Sequence, residues 1–243
     1  MRDDSWMTTP IDPISAFRQR LYAEWLPVFC NDPRRGYGTE GFRDDSIRVS
    51  ARDAANFLRA MDGGLIRHVG GGQYQCAQSK ALEQLFWQHE KHKIPRPVTL
   101  WMEPVITMAT LARLHYDLGW PEERLGMQTS DWAFDLAAYS DVPPPRLLVA
   151  CEVKKSRLEI DHLVADLLHH SRERPESAIS DRARHVNSFK KWESLRRERA
   201  PFLWLVGPDG YEFAFGLSYR SHTAEMEAID VGRLKYASVT GNA

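Results

Sequence analysis

Residues 132–155 read WAFDLAAYSDVPPPRLLVACEVKK, and their pattern decides the fold. Trp132–Tyr139 is an apolar stretch interrupted only by Asp135, and Leu147–Val153 is an apolar stretch interrupted only by Glu152. Each reads as a strand. Between them, Ser140–Arg146 contains the consecutive prolines Pro143, Pro144 and Pro145, which make it a loop. A charge inside an apolar strand needs a partner, a metal or exposure at a sheet end. Side chains two apart on a strand share a face, so Glu152 and Lys154 point the same way. If the two strands pair, Asp135 comes beside them. The result is two carboxylates and an ammonium at one strand end. Such hard oxygen donors suit Mg²⁺ or Mn²⁺. The plainer alternative is an edge-strand charge at Asp135 and a weak Glu152–Lys154 ion pair.

The flanking sequence extends this pattern. A helix is expected from Pro104, a favourable first helical residue, with Val105, Met108, Ala109, Ala112 and Tyr116 on its apolar side and Gly119 at its end. Leu125–Ser130 reads as a strand. After the central stretch come a helix over Glu159–His170, a basic helix over Arg182–Arg199, a strand over Pro201–Val206, a turn at Gly207–Gly210 and a strand over Tyr211–Leu217. The order is helix, three strands, two helices, two strands.

Asp135, then Glu152-Val153-Lys154 on the next strand, resembles the PD-(D/E)XK nuclease superfamily. The likeness covers about residues 100–220. It implies an α/β protein with a restriction-endonuclease-like core of helix, three strands, helix and strand, and Mg²⁺- or Mn²⁺-dependent hydrolysis of DNA phosphodiester bonds. By the same likeness Asp135, Glu152 and the Val153 carbonyl bind the metal. Lys154 serves the attacking water, and Glu103, beside Pro104, matches an acid carried on the first helix. The segment LGWPEERL (residues 118–125) also resembles entry segments of restriction-type nucleases. Phe134 stands where many members have proline. Asp161 and His162 stand where many have glutamine on the following helix. A role in restriction, defence or repair follows from the resemblance alone. A non-catalytic binding subunit with this fold and an RNA-processing nuclease are the alternatives.

The first 97 residues are expected to form a separate, mostly helical module, with residues 98–243 as the nuclease-like domain. Ile14, Phe17, Leu21, Trp25 and Val28 mark a helix over Pro13–Phe29 that Pro27 ends or bends. Ser50 followed by Asp53 starts another, which stops at Gly63-Gly64. Glycines 70–72 turn a hairpin, and Leu82, Leu85, Phe86 and His89 predict a helix over Ser79–His92. Helix plus hairpin resembles a winged helix. Arg67, His68 and Gln73 would then face a duplex. Lys93–Pro97 is the connector, since its two prolines oppose helix.

Net charge is −1, so the chain as a whole is not a polyanion binder. The Asp181–Arg199 segment carries seven Lys/Arg against three acids. Within it Lys190, Lys191, Arg196 and Arg197, together with Lys155 and Arg67, are the expected phosphate contacts. Trp192 could stack on a base; Trp87, Trp101, Trp120, Trp132 and Trp204 are expected to be mostly core. Three scattered cysteines argue against a disulfide framework or a zinc cluster and fit a reducing, cytoplasmic setting. No apolar run spans a membrane. DNA is the expected partner, RNA the second. Dimerisation or membership of a larger complex is compatible with the fold. His89-Glu90-Lys91-His92 has the wrong spacing for a zinc helix, and no phosphate loop follows the glycine run.

Overall fold

The computed structural model describes residues 12–172, 186–220 and 223–240. Its spine is a six-stranded mixed sheet in the order β11-β10-β9-β8-β7-β6. The strands are β6 (Leu125–Met127), β7 (Leu136–Tyr139), β8 (Leu147–Val153), β9 (Phe202–Val206), β10 (Glu212–Arg220) and β11 (Thr223–Ile229). Strands β6, β7 and β8 form an antiparallel meander. Strand β9 lies parallel to β8, which requires a crossover. The crossover consists of helices α5 (Arg157–Arg172) and α6 (Val186–Glu198). Arg182 and Arg184, expected at the start of the basic helix, lie outside the described residues.

Strand periodicity distributes β8 between two cores. Val149, Cys151 and Val153 join the larger cluster, while Ala150 joins a smaller one with Ile160, Leu163, Leu167, Trp192 and Leu195 from α5 and α6. By the same alternation Glu152 is on the α5–α6 side.

The larger cluster packs the other face against α1 (Pro13–Arg20), α2 (Leu26–Cys30), α3 (Ala51–Asp62) and α4 (Met102–Ala112). Residues on both sides of Pro97 share it: Phe17, Phe57 and Phe86 stand in one cluster with Val105, Leu111 and Trp204. A π-turn over Leu21–Trp25 joins α1 to α2. The Leu26 N–H reaches back five residues to Leu21, and the helix continues through Pro27 to Cys30. Ser50 caps α3 as expected, its hydroxyl accepting the Asp53 N–H at 3.0 Å. The Asp53 carboxylate in turn accepts the Asp209 N–H at 2.8 Å, tying α3 to the β9–β10 turn. Arg113, just beyond α4, pairs with Glu212 on β10 at 2.9 Å.

The expected hairpin forms between β1 (Arg67–Gly70) and β2 (Gln73–Gln75), with positive φ at Gly70, Gly71 and Gly72. The helix expected over Ser79–His92 is absent. That segment holds β3 (Glu83–Gln84), paired with β2, and β4 (Phe86–Gln88), paired with β5 (Val98–Leu100). Non-local ladders override the apolar spacing that mimics a helix. The helix that begins near Pro104 starts two residues earlier, at Met102, so that Pro104 is its third residue. After β11, which lies beyond the last expected strand, a short helix α7 (Tyr236–Thr240) ends the described chain. Among the described residues no helix is long and apolar enough to cross a membrane.

A candidate active site at the end of β8

The β7–β8 register places the acids. Leu136 stands opposite Cys151, and one further step sets Asp135 against Glu152. Asp135 sits at the mouth of β7 rather than inside it; its Oδ2 accepts the Val153 N–H at 2.8 Å. Its Oδ1 takes no hydrogen bond among the described residues. Burial, then the charge of Glu152, pushes this carboxyl up to about 8, against the opposing pull of Lys154, the Val153 N–H and Lys191.

Glu152 is 1% exposed. Its Oε1 lies 2.5 Å from Lys154 Nζ, and its Oε2 accepts from Lys191 Nζ at 2.7 Å. Glu152 and Lys154 thus do share a face. Lys154 also lies 3.4 Å from Oε1 of Glu103, in the first turn of α4. Burial pulls the Lys154 ammonium down, but the carboxylates of Glu152, Asp135 and Glu103 outweigh it and hold it above its ordinary value. The four residues named from sequence therefore meet at the C-terminal end of β8.

Lys191 departs from expectation. It reaches inward from α6, donating to Glu152 and to the Ala133 carbonyl, with its Nζ 5.3 Å from the centre of the Phe134 ring. It is engaged inside the site rather than waiting for a phosphate. Asp131 anchors the same helix. It accepts from Ser194 at 2.5 Å and from Thr129 at 2.7 Å, and it pairs with Arg197. Burial raises the Asp131 carboxyl, but these hydrogen bonds and the Arg197 charge prevail and lower it.

Glu103, Glu152, Lys154 and Lys191 open into a cleft of about 830 Å³ lined also by Trp132, Glu159, His162, Asp166 and Lys190, while Asp135 lies behind its wall and is not a lining residue. Six acids against four Lys/Arg line it, an excess of negative charge that suits a bound cation. Of Asp161 and His162 on α5, His162 lines the cleft, whereas Asp161 accepts from Tyr211 at 2.5 Å. Lys155 points elsewhere: it is exposed, 3.8 Å from Glu159, and lines a neighbouring groove. Arg196 and Arg67 are not among the residues lining either opening.

Among the described residues no three His, Cys, Asp or Glu side chains are already gathered as a metal cage. Both oxygens of Glu152 are instead occupied by ammoniums, those of Lys154 and Lys191. The donor set still fits Mg²⁺ or Mn²⁺, because an acid with one oxygen unbonded faces a second acid across a strand pair.

The tryptophans are distributed differently from expectation. Trp192 is buried at 4% exposure, so no base stacks on it. Trp87, Trp101 and Trp132 are exposed, at 53%, 37% and 68%. Strand alternation at Phe86-Trp87-Gln88 was the available signal. Compared with family models, curated proteins and solved structures, the chain matches none.

Proposed function

We propose that the chain is a Mg²⁺- or Mn²⁺-dependent nuclease of the PD-(D/E)XK kind, hydrolysing phosphodiester bonds in DNA. The observation that carries this is the meeting of Asp135, Glu152, Lys154 and Glu103 at one strand end, two of them opposed across β7 and β8. The element order around it supports the same reading: helix α4, an antiparallel meander, a helical crossover and a parallel strand.

In this reading Asp135, Glu152 and the Val153 carbonyl hold the metal, which when bound supplies Lewis acidity and a water of lowered pKa. The chain's own residues do the rest. Lys154 keeps its proton under three carboxylates and presents a positive charge where the phosphoryl oxygens gain negative charge. Lys191 holds Glu152 Oε2 in the metal-free chain and gives that oxygen up to the metal, and Glu103 fixes Lys154 from the α4 side.

Supercoiled plasmid incubated with the protein is the test. Nicked and linear forms should accumulate with Mg²⁺ or Mn²⁺ and not with EDTA. Binding without cutting under either metal would favour a non-catalytic nucleic-acid-binding subunit. Cutting of RNA and not DNA would favour an RNA-processing enzyme.

A further inference from the structure

A second groove, about 760 Å³, adjoins the catalytic cleft, and Glu103 lines both. Its wall is the outer face of the β4–β5 ribbon. Phe86 and Leu100 pair on the buried face. Trp87 pairs with Thr99 on the outer face, and Trp101 follows Thr99 by two residues. The two indoles meet edge to face, ring centres 5.8 Å apart and planes at 76°. Trp101 Nε1 donates to Glu103 Oε2 at 3.3 Å, so the aromatic wall is joined directly to the Glu103–Lys154 pair.

The groove's charge is opposite to that of the cleft. Arg43, Arg48 and Lys155 line it against Asp45 and Glu103. Arg43 and Arg48 are exposed and have no ion-pair partner among the described residues. Lys155 lines the groove but not the cleft, with its ammonium 3.8 Å from Glu159, which lines the cleft. Cations beside exposed aromatic rings are the two elements that bind unpaired nucleic acid, the cations contacting phosphates and the rings stacking on bases. A duplex uses the cations but keeps its bases inside its own stack.

Resting on the nuclease reading of the neighbouring cleft, we propose that this groove binds a single-stranded segment of the substrate. Arg43, Arg48 and Lys155 contact its phosphates, a base stacks on the Trp87–Trp101 pair, and the strand continues past Glu103 to Lys154. The substrate class is accordingly nucleic acid with an unpaired stretch next to the bond that is cut.

Fluorescence anisotropy with a labelled oligothymidylate and a labelled duplex of equal length, both in EDTA, tests this without requiring cleavage. The wild type should bind the single strand more tightly than the duplex. Trp87→Ala should weaken single-strand binding roughly tenfold and leave duplex binding nearly unchanged, with Trp87→Phe restoring most of the loss. Arg48→Ala should lower the salt slope by about one. Trp87 is half-exposed, so its replacement leaves the core intact, which an unchanged melting temperature would verify. Equal single-strand affinity of wild type and Trp87→Ala overturns the subsite, whether or not the wild type cuts plasmid. Trp87-dependent strand binding without metal-dependent cutting upholds the subsite and overturns the nuclease reading instead.

Discussion

Lys191 crosses from α6 to Glu152 and holds its Oε2 at 2.7 Å, while Lys154 holds Oε1 at 2.5 Å. A carboxylate almost fully removed from water thus has an ammonium on each oxygen. Removing one partner from a buried pair costs roughly 3–5 kcal/mol, because the remaining charge is left uncompensated. Here Lys154 remains, so Lys191→Met is expected to cost about 2–3 kcal/mol in urea unfolding. Adding Glu152→Gln should recover part of that loss, giving a coupling energy above about 1 kcal/mol. Additive effects of the two changes would show that the contact carries no structural weight.

Asp135 links stability to pH. Its carboxyl titrates near 8 when folded, against an ordinary value of 3.8. Between those values the folded chain holds a proton that the unfolded chain has released. The stabilisation from this group is therefore complete below about pH 4 and is lost as pH rises through 8. Asn cannot ionise and still accepts the Val153 N–H. Asp135→Asn should therefore stabilise the metal-free protein more at pH 8 than at pH 5, by up to roughly 3–4 kcal/mol or about 7–15 °C. Thermal melts in EDTA at the two pH values measure it. A difference independent of pH would contradict the raised carboxyl.

Lys154 separates catalysis from folding. Lys154→Ala should reduce plasmid nicking by roughly 10²–10³-fold, as expected for loss of a charge aimed at the transition state. Lys154→Arg should rescue little, because a planar fork does not replace a compact ammonium between Glu152 and Glu103. Initial rates of nicking, compared at equal folded fraction, decide this. Activity within threefold of wild type in Lys154→Ala would remove Lys154 from the chemistry.

The acids of the site were legible because strand periodicity is strict. At Glu152, inside β8, the break in an apolar run states where the charge lies and which way it faces; at Asp135 it states only where, because β7 begins at Leu136 and the expected strand from Trp132 does not form. The first-turn acid Glu103 was legible by its place beside Pro104. Lys191 was not, since a helical lysine in a basic run looks solvated until the packing of Trp192 and Leu195 turns that helix onto the sheet. The Ser79–His92 segment misled for a related reason: Leu82, Leu85 and Phe86 have helical spacing, but Glu83–Gln84 pairs with β2 and Phe86–Gln88 pairs with β5. Strand β11 did carry a signal, with Ala224, Met226 and Ala228 alternating with Glu225 and Glu227.

Crystals soaked in Mn²⁺ and measured at the manganese absorption edge examine the site itself. An anomalous peak is expected within about 2.1 Å of carboxylate oxygens from both Asp135 and Glu152, with Lys191 displaced from Oε2. A saturating soak that leaves both ammoniums on Glu152 and no peak between the two acids would contradict it.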